Sequence, residues 1–316
     1  MTGTIQVIVV LILGVALAYV AWRAWRLRNL ALKIVAGIVA TLLALVCLAV
    51  GVLGAIGDFK INTPHGSPAP NITASASPDR LEAAQRRVNG CTGCHSTTGA
   101  QPLDGGADNF LGGPLGTLYA PNLTPGGPLK DWSDGEIMRA VREGIDKDGH
   151  PLLIMPSDAF HRLSDEDVQT LVAYLRSQPA VNRATPSRDI GIMGFVLLGA
   201  GLFPTAEQPH INAPQTAPAA GTPQYGQYLV EITGCATCHG EDLRGRAPGG
   251  FGPPAGPNLR AIVPSWQQAD FVKFFRTGVD PNGRAVDTNN MPWKDIGLAY
   301  TDDELAAMYA YLRTLT

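Results

Sequence analysis

The sequence predicts an all-α chain: a membrane-embedded helical hairpin followed by two tandem copies of one small helical module. Three observations carry that prediction. The first sixty residues hold two long uncharged apolar runs. The remainder repeats one order of helix-start and helix-stop signals. Each copy opens on the same kind of pentapeptide, Cys91-Thr92-Gly93-Cys94-His95 and Cys235-Ala236-Thr237-Cys238-His239. At 316 residues the chain has room for two domains of ordinary size besides a membrane segment. Its formal net charge of -3 implies no nucleic-acid partner. Glycine (36) and proline (25) are abundant while aromatic residues make up only 7%, which suits loop-rich modules better than a self-sufficient sheet core.

The hairpin comes first. Thr4 to Trp22 is uncharged, and Leu30-Ala31-Leu32 leads past Lys33 into a second uncharged stretch from Ile34 to Gly57; each is long enough to cross a bilayer as a helix. Residues 1–57 are assigned to this hairpin, with spans at about 4–22 and 31–57. Arg23, Arg26, Arg28 and Lys33 lie between the spans and no positively charged side chain precedes the first. The positive-inside rule therefore puts the short loop in the cytoplasm and both the N-terminus and the rest of the chain outside. Trp22 and Trp25 fall where an interfacial aromatic belt would form. A cleaved signal peptide would open on a basic region and end at a small-residue cleavage site, and neither is evident. Cys47, inside the second span, reads as a small buried apolar residue, since Ala44-Leu45-Val46 before it fits a lipoprotein signal poorly. The expected location is a bacterial cell membrane crossed twice, with lipid around the hairpin and the modules on the periplasmic face.

The other four cysteines sit in the two pentapeptides. Two thiols three residues apart on a turn of helix face the two vinyl groups of a porphyrin and form thioethers, and the histidine directly after them reaches the iron. A zinc site would use the two Cys-x-x-Cys pairs as four thiolates, but their separation far exceeds the usual gap and each has its own histidine. A thioredoxin-like pair would want a βαβ pattern, and a disulfide would not demand the histidine. The duplication predicts two covalently bound haem c groups, held through Cys91, Cys94 and His95 and through Cys235, Cys238 and His239. In families that use this motif attachment takes place outside the cytoplasm, which agrees with the topology.

Residues 58–79 and 205–224 are rich in proline, serine and alanine and read as linker, with His65 and His210 solvated rather than ligating. The modules occupy residues 80–180 and 225–316, and the whole of 181–224 separates them. Each module runs through the same landmarks. A helix (Leu81 to Val88; Tyr225 to Ile232) delivers the pentapeptide, and a Gly/Pro-rich loop ends in "APNL" or "GPNL". A capping box follows, Ser133 with Glu136 and Ser265 with Gln268, opening a helix that stops at Gly144 or Gly278. Then come "IMPS" with Met155 and "NMPW" with Met291, and a last helix opened by Ser164 with Asp167 or Thr301 with Glu304.

Met155 and Met291 stand far downstream of their histidines, each before a proline that keeps the chain extended as a strap. A thioether is a soft neutral ligand, so a His/Met haem has a raised potential and iron closed to substrates. The expected axial ligands are His95 with Met155 and His239 with Met291; Met138 and Met308 lie within predicted helices and read as core. In the second module no histidine follows His239. In the first, His150 and His161 flank Met155 and could compete, but their context is not repeated.

On the landmarks "PNLTP", "W-S-D-G-E-I" and "MP…LS-D-E-D…AYLRS", about two-thirds of the chain resembles class I c-type cytochromes, and is similar to the dihaem and trihaem cytochrome c subunits that serve membrane dehydrogenases and respiratory complexes. The resemblance implies two tandem class I cytochrome c domains, each of three or four helices around its haem. It implies Asn122 and Asn258 near a haem propionate or the strap. It also implies a membrane-anchored dihaem cytochrome c that relays single electrons at the outer membrane face between a respiratory or photosynthetic donor complex and an acceptor, with other membrane-complex subunits and a redox partner protein as neighbours. The two-span anchor is a departure, since many relatives are soluble or carry one span. The alternative is the dihaem subunit of a cbb-type haem-copper oxidase, which these landmarks fit less well. A dihaem redox enzyme is less favoured, because a peroxidase needs an open distal position and a thiosulfate-oxidising enzyme a distal cysteine, and no cysteine is spare outside the membrane segment.

Ile190 to Phe203 is uncharged but too short to span comfortably, and crossing would put the modules on opposite membrane faces. It is expected in the membrane interface or on a partner subunit, with burial between the modules as the alternative.

Overall fold

The computed structural model describes residues 2–247 and 254–315; the middle of the second module's Gly/Pro-rich loop, 248–253, lies outside them. The first helices are α1 (Thr2–Ala24) and α2 (Leu30–Asn62), both long and apolar enough to cross a membrane. At 1.5 Å per residue α1 is about 35 Å long and α2 about 50 Å, against a hydrocarbon core of about 30 Å. So α2 runs on past Gly57 through Asp58, Lys60 and Asn62 and projects from any bilayer it crosses. The two helices are antiparallel, and glycines set their spacing. A methyl group on Gly14 would stand 2.9 Å from Leu48, one on Gly51 2.5 Å from Leu11 and one on Gly54 2.8 Å from Val7. Small residues thus let these helices approach closely. Their outer faces carry exposed Ile12, Val15, Val35 and Leu45, a surface suited to lipid.

The first module contains α3 (Pro78–Arg87), a tight 3-10 turn Val88–Cys91, and the short α4 (Thr92–His95). Then come α5 (Asp134–Glu143), α6 (Ser157–Phe160) and α7 (Asp165–Ser177). Ser133 and Glu136 form a reciprocal capping box at the start of α5, Gly144 ends it with a left-handed φ of 64°, and Ser164 accepts from Asp167 N to open α7. The core of this module is built on Val88, Leu103, Leu129, Ile137, Val172 and Leu175. Outside it, a two-residue strand β1 (Gly116–Thr117) pairs antiparallel with β2 (Asp189–Ile190), which leads into α8 (Ile192–Gly199).

The second module repeats the order with α9 (Pro223–Ile232), α10 (Cys235–His239), α11 (Leu259–Ile262), α12 (Gln268–Thr277), α13 (Trp293–Ala299) and α14 (Asp302–Leu312). Its core is aromatic, with Phe271 and Phe275 at 5.0 Å between ring centroids and Trp266 edge-on to Phe274 at 5.5 Å. The cap of α12 differs from the expectation. Gln267 with Asp270 makes the capping box, two residues beyond Ser265, because Val263–Ser265 is itself a 3-10 turn whose last hydroxyl donates back to Ile262 O.

Neither proline-rich stretch is a free linker, which corrects the sequence reading. His65 N and Gly66 N donate to Gly149 O, and Arg139 holds Ser67 O at 2.6 Å. Further on, Gln208 N donates to Glu143 O and Asp165 N to Gln215 O. Both histidines have carboxylate partners: His65 Nε2 is 3.1 Å from Glu207, and His210 Nδ1 is 3.0 Å from Glu143. Composition missed this because such segments bind through backbone groups that any sequence offers.

The 190–203 segment docks on the chain's own hairpin rather than between the modules. Phe195 and Leu198 of α8 share a core with Val7 of α1 and Ile61 of α2. A methyl on Gly57 would stand 1.9 Å from Phe195 O, and one on Gly199 1.9 Å from Leu53 O, so α2 and α8 meet backbone to backbone. Thr2 bonds to the Asp189 carboxylate, and Lys60 Nζ donates to Leu198 O at 3.1 Å. The outer ends of α1 and α2 therefore lie beside α8 and the first module, opposite the loop bearing Arg26 and Arg28.

The two modules are packed together with a pseudo-twofold pattern. The first helix of each reaches the N-terminus of the last helix of the other: Arg87 of α3 pairs with Glu304 of α14 at 2.6 Å, and Tyr228 of α9 accepts from Ser164 N and donates to Asp167 of α7. Leu163 packs against both cores.

Candidate functional site

Each pentapeptide forms a short helix whose last residue is its histidine, and each histidine is nearly enclosed, 9% exposed at His95 and 6% at His239. Both rings are held by a proline carbonyl: His95 Nδ1 donates to Pro121 O at 2.8 Å and His239 Nδ1 to Pro257 O at 2.7 Å. With Nδ1 carrying the proton, Nε2 keeps its lone pair as the ligating atom. Burial holds both imidazoles below their ordinary pKa, which keeps them neutral.

Beside His95 is a cavity of about 880 Å³ lined by Cys91, Cys94 and Met155. Its walls are chiefly apolar, with Phe110, Leu118, Ile137, Val141 and Leu153 among them. Residues 182–188, a stretch the sequence reading assigned to linker, also line it. Such a volume lies at the upper end of ordinary ligand pockets.

Met155 lies on a strap made strained by its neighbour: Ile154 has φ 66°, a left-handed conformation that costs a β-branched residue about 1–2 kcal/mol. The straps of the two modules share their hydrogen bonding. Ser157 N donates to Met155 O at 2.8 Å and Trp293 N to Met291 O at 2.7 Å, and an Asp-turn precedes each, Asp146–Gly149 and Asp280–Gly283. Met291 is half-buried against the aromatic core of the second module. The competing histidines are occupied elsewhere. His150 is 3.5 Å from Asp146 and His161 Nδ1 is 3.1 Å from Arg142 O, and neither lines the cavity.

The two asparagines have structural roles of their own. Asn122 is wholly buried, with Nδ2 donating to Val181 O at 2.7 Å and Arg183 O at 3.1 Å and Oδ1 accepting from Thr124 N and Oγ1. It clamps the loop bearing Pro121 to the 181–183 backbone and does not itself line the cavity. Asn258 caps α11 by accepting from Ala261 N at 3.2 Å. Each directly follows the proline whose carbonyl accepts from the module's histidine.

The residues fit a covalently held porphyrin. Burial pushes the Cys91 and Cys235 thiols up to about 12, an apolar setting that suits a neutral thioether and disfavours a thiolate. Gly256 lies flat against the His239 ring, where a methyl group would stand 2.6 Å from Nδ1. Among the described residues no group of three or more His, Cys, Asp or Glu is arranged to hold a bare metal ion.

Comparison with known proteins agrees. The family model for cytochrome c matches residues 81–179 and again 223–316. The chain is 33% identical to the gluconate 2-dehydrogenase cytochrome c subunit of Pantoea cypripedii over 48% of its own length and 36% of that protein's. It is 26% identical to the fructose dehydrogenase cytochrome subunit of Gluconobacter japonicus, covering 71% of this chain and 50% of the other. It is 28% identical to the alcohol dehydrogenase (quinone) cytochrome c subunit of Gluconacetobacter polyoxogenes, covering 72% and 54%. The chain thus spans between a third and just over half of these curated relatives. With the family model covering both histidine-bearing modules, the chain belongs to the cytochrome c family, whose members carry covalently bound haem c.

Proposed function

We propose that this chain is a membrane-anchored dihaem electron-transfer subunit of an outer-face dehydrogenase complex. The observation that carries the reading is that His95 and Met155 line one cavity, and that the second module repeats both features, a buried, carbonyl-tethered histidine (His239) and a methionine strap (Met291) with the same backbone hydrogen bond. Haem c, when bound, supplies reversible one-electron chemistry. The chain's own residues do the rest. Cys91, Cys94, Cys235 and Cys238 would hold the groups covalently, His95 and His239 would ligate through Nε2, and Met155 and Met291 would be the second ligands. Two closed positions suit a relay and leave no place for a substrate.

The hairpin supports a fixed orientation. Leu153 lines the first cavity and packs in one cluster with Val7 and Ile61 of the hairpin, and Arg188, also lining it, donates to Ile61 O at 3.1 Å. This supports the first site as the membrane-side centre and the second as the outer one. The basic loop at the far end of the hairpin supports a periplasmic position for both modules by the positive-inside rule. The relatives named above are dehydrogenase subunits, which favours a dehydrogenase partner over an oxidase.

Film voltammetry of the purified holoprotein tests this. Two reversible one-electron waves, unchanged by hydrogen peroxide or carbon monoxide, are expected. A catalytic current with peroxide, or a single wave, would overturn it.

A further inference from the structure

Resting on the dihaem reading, the structure points to a tuning device at the junction of the modules. Arg87 is the last residue of α3, four positions before Cys91. Its guanidinium leaves its own module and lies 4.2 Å over the ring of Tyr300, and its Nη2 bonds Glu304 Oε1 at 2.6 Å. Its Nη1 is buried and hydrogen-bonds to none of the described residues. Tyr300 is itself enclosed, 6% exposed, and its hydroxyl accepts from Thr233 Oγ1 at 2.7 Å, two residues before Cys235. One ion pair therefore belongs to the segment leading into the first attachment motif and reaches, through Tyr300, the segment leading into the second. The other groups around the guanidinium are the hydroxyl of Tyr225, 3.4 Å from Glu304, and the carboxylate of Asp167.

We propose that Arg87 and Glu304 are positioning residues that set the potential of the second haem centre, and to a lesser degree the first, with opposite signs. A cation held in a medium of reduced dielectric over Tyr300 favours the extra electron, and the carboxylate beside it offsets part of that effect. A contact that mattered only for docking the modules would not produce opposed shifts.

The test is an optical redox titration of the full-length holoprotein with three variants. Arg87→Gln is expected to lower the equilibrium constant for reducing the second centre about threefold to tenfold, tenfold being 59 mV for one electron. Glu304→Gln keeps the cap on α14 through its amide and is expected to raise it. Arg87→Lys keeps the charge and is expected to restore wild-type behaviour; with Glu304→Gln it carries the test if Arg87→Gln does not accumulate. Shifts of the same sign in the Gln variants, or none beyond twofold, would overturn the proposal. Haem content by mass and carbon monoxide binding, read on the same samples, decide the relay reading separately.

Discussion

Gly256→Ala places a single methyl group against the second site's histidine. The added carbon would stand 2.6 Å from His239 Nδ1 and 2.7 Å from Cε1, so the ring must retreat by about 0.8 Å to reach the 3.4 Å of ordinary contact. The Nδ1 to Pro257 O bond, now 2.7 Å, would stretch to about 3.5 Å, where little of it survives. Losing it costs about 1 kcal/mol of orientation and leaves the ring free to turn. Groups that orient a metal's histidine typically matter tenfold to a hundredfold in affinity or activity when removed. The first module supplies the control, because Ala120 stands before Pro121-Asn122 where Gly256 stands before Pro257-Asn258, and His95 keeps its bond there. In a redox titration of the holoprotein, Gly256→Ala is expected to shift the second centre and leave the first unchanged, while Ala120→Gly moves neither centre appreciably. Unchanged spectra and potentials at both centres of Gly256→Ala would refute the claim that this close approach orients His239.

Asn122→Ala removes four hydrogen bonds from a residue with no solvent exposure and leaves the Val181 carbonyl only the Arg183 amide at 3.0 Å and the Thr124 hydroxyl at 3.4 Å; a loss of about 3 kcal/mol in urea unfolding is expected, with the first centre affected before the second. Gly199→Val sets a side chain against Leu53 O, where even a methyl carbon would stand at 1.9 Å, and is expected to lift α8 off the hairpin, seen as faster amide exchange across Ile192–Gly199; unchanged exchange would contradict the backbone-to-backbone packing. The bond to Glu207 raises the His65 pKa above its ordinary 6.5, so the contribution of that pair to stability is complete below pH 6.5 and fades as pH climbs through the raised folded-state value. His65→Ala should therefore remove a stability difference visible at pH 6 and absent at pH 9; an effect larger at pH 9 would show the sign to be wrong.

The parts of this chain that were legible in its sequence are those fixed by neighbours along the chain. The pentapeptides, the αL stops at Gly144 and Gly278 and the caps at Ser133, Ser164 and Thr301 each depend on residues within one turn. The hairpin was legible because a bilayer imposes length and apolarity on every residue of a span. What escaped the reading depends on distant backbone atoms. The stretches 58–79 and 205–224 look unstructured by composition, yet Gly149 O, Glu143 O and Asp165 N tie them down. The seat of α8 is made by Gly57 and Gly199, residues without a side chain to read. The Arg87–Tyr300 stack joins positions more than two hundred residues apart, and nothing local to either announces it.

The account's central claim is that Met155 and Met291 complete both centres. The most direct measurement is near-infrared magnetic circular dichroism of the oxidised holoprotein, compared with Met155→Leu and Met291→Leu. The expected result is a methionine-to-iron charge-transfer band from both centres, half of it lost in each variant, with carbon monoxide binding appearing only at the altered centre. A band that survives Met155→Leu at full strength, or a wild-type protein that binds carbon monoxide, would contradict the claim.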